Sequence, residues 1–261
     1  MSYETLEYKV DNGVAFITLA REDAANAVNL TACQELAEAA LAAQEDGSVR
    51  AVVLSGKGRM FSAGGDLGAM AESDEPPKLL KRMTIHLHAA VAMLARMDAP
   101  VIAAVNGTAA GAGFSLVCAA DLAIAAENAK FTLAYTAAGL TPDGSSTYFL
   151  PRIVGRRRTL ELMFSNRVLS AAEALDWGIV NQVVPKGEAG KAAAELAAKL
   201  AQGPTAAFGE TKRLVLGSND NSLESQMELE GTAIAQASSS ADAKEGVAAF
   251  LAKRAAKFSG V

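Results

Sequence analysis

Two glycine-rich stretches hold the residues best suited to chemistry. One is Arg59–Met60–Phe61–Ser62–Ala63–Gly64–Gly65–Asp66–Leu67, after the apolar run Val49–Ser55. The other is Asn106–Gly107–Thr108–Ala109–Ala110–Gly111–Ala112–Gly113, after Val101–Val105. Small residues let a backbone come close to a ligand. Free N–H groups at a loop or helix start attract a negative oxygen, and one N–H from each loop would form an oxyanion hole. The competing reading is a pair of tight turns that only pack helix on sheet. Other chemistries are poorly provided for. Leu116 stands where a dinucleotide fingerprint needs its third glycine, and neither a P-loop nor a G-x-S-x-G elbow occurs. The only histidines, His86 and His88, are two apart; on a helix they diverge by about 200°, so they do not converge on one metal ion. Cys33 and Cys118 have neither metal nor redox spacing and read as buried thiols of a reducing compartment.

The elements that must position these loops follow from the hydropathy pattern. Val14–Ala20 reads as a strand, paired with Leu6–Val10 across the turn Asp11–Asn12–Gly13. Leu30–Glu45 and Lys78–Met97 read as helices, with a further helix from about Gly111. Val49–Ser55, Val101–Val105, Leu122–Ala126 and Ile179–Val184 read as buried strands. Ser170–Ala171–Ala172–Glu173 is a capping box that opens a helix to Trp177, which Gly178 stops. The recurring strand, loop and helix units predict an α/β fold with a mostly parallel sheet and crossover helices. Gly203–Pro204 marks the clearest boundary, dividing a core of residues 1–203 from a helical region of residues 204–261. That region holds Thr205–Leu216, Leu223–Ser238 and Ala241–Arg254. Leu223, Met227, Glu230 and Ile234 form a helical stripe, which predicts packing on the core or on a neighbouring subunit.

Composition narrows the function classes. The 261 residues are 51% hydrophobic, enough for a substantial core. The 56 alanines against 13 Phe and Tyr predict helices packed closely through small side chains. A net charge of −5 disfavours a nucleic-acid partner. The chain opens without an apolar signal segment, and its apolar runs fall short of the ~20 residues of a membrane span. A cytoplasmic protein without a membrane partner is expected.

The two loops, read as F-S-A-G-x-D-L at Phe61–Leu67 and P-V-I-A-A-V-N-G-x-A-x-G-x-G at Pro100–Gly113, resemble the enoyl-CoA hydratase/isomerase (crotonase) superfamily. The similarity continues through Ala129–Lys130–Phe131, Leu150–Gly155, Trp177–Val180 and Glu245–Phe250, and so covers essentially the whole chain. It implies a crotonase-like spiral of ββα units with a C-terminal helical region that builds a homotrimer or a dimer of trimers. It implies an acyl-CoA thioester substrate, with coenzyme A present only as part of that substrate and with neither prosthetic group nor metal. The oxyanion donors would be the N–H groups of Ala63 and Ala112. Phe61, Gly64, Gly65, Asp66, Leu67, Gly111, Gly113, Tyr135, Leu140 and His88 would surround the acyl group, with Phe114 and Phe149 as further walls. Core packing is the alternative role for the phenylalanines. Lys57, Arg59 and, across a subunit interface, Lys253 or Lys257 are candidates for the coenzyme phosphates. Arg156–Arg157–Arg158 reads as a solvated helix start.

The family resemblance leaves the reaction to the side chains. The two glutamates with which hydratases of the family handle water fall on Ser115 and Tyr135, so both carboxylates are missing. One carboxylate stands nearby in Gly139–Leu140–Thr141–Pro142–Asp143, where typical hydratases have glycine. Asp143 could simply cap the helix that follows. Yet the pattern G-L-x-P-D followed by L-P-R looks like the isomerase branch, including ring-1,2-epoxyphenylacetyl-CoA isomerase, in which the matching aspartate shuttles a proton. The alternatives are a 4-chlorobenzoyl-CoA dehalogenase, in which this aspartate attacks the ring and a histidine matching His88 assists hydrolysis, an enoyl-CoA hydratase, and a non-catalytic CoA-binding scaffold.

Overall fold

A computed structural model describes residues 3–261. The chain enters as a hairpin of β1 (Leu6–Asp11) and β2 (Val14–Leu19). Asn12 and Gly13 both take positive φ, which is the turn that matches strand twist in a two-residue hairpin. The helix α1 (Leu30–Glu45) starts at Asn29, whose side chain accepts the Ala32 N–H. Three similar units follow. The first is β3 (Ala51–Gly56), β4 (Met60–Ser62), α2 (Leu67–Ala71) and α3 (Pro76–Arg96). The second is β5 (Val101–Val105), β6 (Thr108–Ala110) and α4 (Ala112–Ala119). The third is β7 (Leu122–Ala126), β8 (Lys130–Thr132) and α5 (Ser146–Ser165). The chain closes with β9 (Leu169–Ser170), α6 (Ala171–Asp176), β10 (Gln182–Val184), α7 (Ala189–Leu200), α8 (Thr205–Gly217), α9 (Leu223–Ala237) and α10 (Ala241–Leu251).

The long strands form one sheet in the order β1-β2-β3-β5-β7-β10, and the short strands a second in the order β4-β6-β8-β9. From β2 to β10 the long strands are parallel neighbours. Each unit thus adds one long strand, one short strand and a helix, then advances one place. This is the α/β fold read from the hydropathy pattern and the spiral of ββα units that the family resemblance implies. Because both sheet faces are covered, β5 is buried at every position. Ala189, Ala193 and Ala197 of α7 pack on one face with Val53, Ile102 and Ile124. On the other face Ala39, Ala40 and Ala43 of α1 share a core with Ala90 of α3, so alanine does serve close helix packing.

Some boundaries move for local reasons. The strand expected over Ile179–Val184 is only β10. The N–H groups of Ile179 and Val180 instead bond back to Ala174 O at 2.8 and 3.3 Å and finish α6. Arg156 begins the second half of α5, just past a kink at Gly155.

The C-terminal helices divide into a clamped and an open part. In α8, Lys212 Nζ reaches Asp121 at 2.7 Å and the carbonyls of Leu94 and Ala99 at 3.1 Å. Burial pushes the Lys212 ammonium down from its ordinary range and the Asp121 carboxyl up. Arg50 holds the C-terminal tail through Ser259 O at 2.6 Å. By contrast, α9 and α10 leave Leu223, Met227, Ile234, Val247, Phe250 and Leu251 exposed.

Candidate active site

The two glycine loops run side by side because their backbones touch. Gly64 has φ +93°, and a Cβ there would lie 2.8 Å from Ala110 O and 3.1 Å from Ala112 N. A Cβ on Gly113 would press on Ser62 at 2.7 Å. Ser62 Oγ fixes the first loop by donating to Asn26 O at 2.8 Å and accepting the Gly64 N–H at 3.1 Å. Ala63 was the expected donor in this loop, but its N–H is engaged by Ala25 O at 2.9 Å. The Gly65 N–H, two residues on, has no acceptor among the described residues. The Ala112 N–H is likewise unengaged, as the first residue of α4 must be when nothing caps it. Both residues line a cavity of about 430 Å³. Two backbone donors without an acceptor, one at the positive end of a helix, thus belong to the wall of one cavity.

The opposite wall is built from side chains. Tyr135 OH donates to Asp143 Oδ1 at 2.8 Å. Ser115 Oγ lies 3.1 Å from Tyr135 OH and 2.9 Å from Asp143 O, to which it donates. His88 Nε2 is 3.9 Å from Asp143 Oδ2. The helix-cap role for Asp143 is not observed: α5 starts at Ser146 after Ser145, and no side chain caps it. Burial, and then the Asp143 charge, push the Tyr135 phenol well above its ordinary range, so it stays a donor. Burial likewise pushes the Cys33 thiol, also on the cavity wall, up to about 12.

The cavity gathers most of the expected residues. Ala63, Gly65, Asp66, Leu67, Gly111, Ala112, Tyr135, Leu140 and Asp143 line it, with Met70, Leu80, Met83 and Leu87 as an apolar wall that sequence reasoning missed. Those four lie on α2 and on the face of α3 that also packs on the core, so their pattern looks like ordinary helix burial. Asp66 is committed elsewhere: it caps α2 by accepting the Ala69 N–H at 3.0 Å and pairs with Arg21 at 2.9 Å. Other expected residues fall outside. Phe61 and Phe114 are fully buried in the core. Gly64 and Gly113 sit at the loop contact and do not line the cavity. His88 and Phe149 line a second cavity of about 440 Å³, which meets the first at Asp143. Lys57 is paired with Glu7 at 2.7 Å.

Comparison with known proteins gives the family and the fold. A family model described as enoyl-CoA hydratase/isomerase matches residues 9–261. The 1,2-epoxyphenylacetyl-CoA isomerase of Escherichia coli (strain K12) is 39% identical over 253 residues, 96% of this chain and 97% of its own. The 4-chlorobenzoyl coenzyme A dehalogenase-2 of an Arthrobacter species is 38% identical over 221 residues, 84% of this chain and 80% of its own. The crystal structure of an enoyl-CoA hydratase from Polaromonas sp. JS666 has a TM-score of 0.93 at 33% identity, covering 97% of this chain and 99% of the other. The three relatives are named for three different reactions.

Proposed function

The chain belongs to the enoyl-CoA hydratase/isomerase family, several of whose members are named for acyl-CoA thioesters, and on that premise we propose that it is an isomerase that shifts a double bond in an enoyl-CoA. The observation that carries the reading is Asp143. It is the one carboxylate on the cavity wall, among the described residues, that neither caps a helix nor pairs with arginine.

In a 3-enoyl-CoA the C2 proton is acidified by the thioester and by the double bond. Asp143 takes that proton, and the electron pair passes through C1 to the thioester oxygen. The Gly65 and Ala112 N–H groups hold the resulting dienolate, each such donor being worth about 3–4 kcal/mol of barrier. The same carboxyl then protonates C4, and the double bond comes to lie between C2 and C3. Ser115 and Tyr135 supply no carboxylate to activate water, which disfavours hydration.

A second reading draws on His88, 3.9 Å from Asp143 Oδ2. In a dehalogenase, Asp143 would attack the chlorinated ring carbon, chloride would leave, and His88 would help water cleave the aryl ester. The deciding experiment offers 3-enoyl-CoA, 2-enoyl-CoA and 4-chlorobenzoyl-CoA to the purified protein and follows each spectroscopically. The isomerase reading expects the first to turn over fastest. Faster hydration of 2-enoyl-CoA, or chloride release, would reject it.

The exposed apolar residues of α9 and α10 support a further part of the reading, assembly as a homotrimer or a dimer of trimers. Light scattering at micromolar concentration is expected to give three or six times the 26.9 kDa chain mass. A stable monomer would contradict it.

A further inference from the structure

We infer that Tyr135 is a positioning residue: its phenol fixes one carboxylate oxygen of Asp143 and leaves the other, Oδ2, as the atom that moves the proton. What the carboxylate does rests on the isomerase reading above; how it is held rests on the structure. The phenol donates to Oδ1 at 2.8 Å, while its oxygen lies 3.1 Å from Ser115 Oγ. Ser115 in turn donates to the Asp143 carbonyl at 2.9 Å. Side chain and backbone of Asp143 are thus held from the same wall. The contact is close: a Cβ on Gly144 would lie 3.0 Å from Ser115 Cβ. On the other side, the Leu140 N–H bonds to Tyr135 O at 3.0 Å, which closes the segment between Tyr135 and Asp143 onto itself.

An unrestrained carboxylate offers either oxygen to a proton and rotates between them. With a donor fixed on Oδ1, the proton from C2 goes to Oδ2. The Oδ1 hydrogen bond persists in the neutral acid, because the oxygen remains an acceptor. Oδ2 then returns the same proton to C4, so both transfers use one atom on one face of the dienolate. The titratable or charged groups around Asp143 are Tyr135, His88 of α3, Cys33 of α1, Asp66 and Lys81 on the wall of the first cavity and Arg96 on that of the second. Tyr135 is the only one of these with a hydrogen bond to the carboxylate.

The test is Tyr135→Phe, which keeps the ring and removes the donor. With 3-enoyl-CoA, kcat is expected to fall about 10–100-fold, the scale of one hydrogen bond to a charged group, while KM changes little. The share of C2 deuterium delivered to C4 should fall, because a carboxyl without the fixed donor turns before it returns the proton, a change that mere packing would not produce. Replacement by 3,5-difluorotyrosine, a stronger donor of nearly the same shape, should keep that share at the wild-type level and keeps the test alive if the phenylalanine variant does not fold. An unchanged share in the phenylalanine variant with kcat within twofold of wild type, or a share lost in the difluorotyrosine protein, would overturn the inference. A wild type without isomerase turnover would defeat the isomerase reading but leave the positioning testable. The ¹³C carboxyl resonance of Asp143, identified by its absence in Asp143→Asn, should then move at fixed pH in Tyr135→Phe, where the hydrogen bond to Oδ1 is lost. An identical resonance in both proteins would overturn the positioning role.

Discussion

The two ends of the cavity are made of different materials. At one end the groups offered to the cavity are main-chain N–H donors at Gly65 and Ala112, held in place by the contact of Gly64 with Ala110 and of Gly113 with Ser62. At the other end they are side chains, with Asp143 held by Tyr135 and Ser115. A backbone donor survives most substitutions at its own position, whereas a carboxylate exists only while the residue is aspartate or glutamate. The first end can therefore serve relatives that run different reactions through a shared enolate, and the second decides which reaction follows.

Asp143→Asn removes only the second end and carries the largest expected effect. Turnover of 3-enoyl-CoA should fall by about 10²–10⁴-fold, the range of general acid–base catalysis. Deuterium exchange at C2 should stop. Affinity for the acyl-CoA, measured by calorimetry, should change little, because the Gly65 and Ala112 N–H groups are untouched. Full activity in the variant would break the comparison.

Ala112→Pro attacks the first end alone. Ala112 is the first residue of α4, where proline is tolerated because that N–H has no partner in the helix. The variant should fold, yet lose turnover by about 10²–10³-fold, the cost of one oxyanion donor. All reactions that pass through the enolate should suffer, including C2 exchange. Unchanged exchange would show that the Ala112 N–H does not face the thioester oxygen.

The same contrast explains what could be read from sequence. The glycine spacing gave the loops away, because glycine at 64 and 113 is demanded by backbone contact, and the buried strands stood out as uninterrupted apolar runs. The choice of donor did not show. Ala63 and Gly65 are both small residues in one loop, and only the bond from Ala63 N–H to Ala25 O separates them. Asp143 was visible as an unexpected carboxylate and Tyr135 as a site residue, but the hydrogen bond between them was not, since a tyrosine eight residues earlier carries no sequence signal of contact. Phe61 and Phe114 misled for the opposite reason: large apolar residues beside a loop fit a pocket wall or a core equally well, and here they fill the core.

Ser115→Ala sharpens the comparison at smaller scale. It removes the hydroxyl that donates to Asp143 O but leaves the Tyr135 bond to Oδ1. The Asp143 carbonyl keeps its contact with Ser146 Oγ at 3.1 Å. Stability should drop by about 0.5–1.5 kcal/mol, the net worth of one ordinary hydrogen bond, as read from the shift in a urea unfolding midpoint. Turnover should fall only a few-fold. A loss as large as that of Asp143→Asn would mean that Ser115 takes part in the chemistry itself.

The smallest effect expected is at Cys33, whose thiol lines the cavity near Asp143. A 2-enoyl thioester, the product of the proposed reaction, is an acceptor for thiolate addition, so a nucleophilic cysteine here would inactivate the enzyme. Burial, with the Asp143 charge adding to it, pushes this thiol up to about 12. At pH 7 a thiol at that value is ionised to roughly 10⁻⁵, against a few per cent for an unperturbed cysteine. Intact-mass spectra should accordingly show no adduct after prolonged incubation with 2-enoyl-CoA at pH 7, and Cys33→Ala should turn over at nearly the wild-type rate. Because Asp143 contributes to holding the thiol protonated, Asp143→Asn should make Cys33 slightly more reactive toward iodoacetamide. Cys118, fully buried elsewhere in the core, is the internal control and should not respond. Rapid adduct formation on the wild-type protein would show that the side-chain end of the cavity is more open to charge than its packing implies.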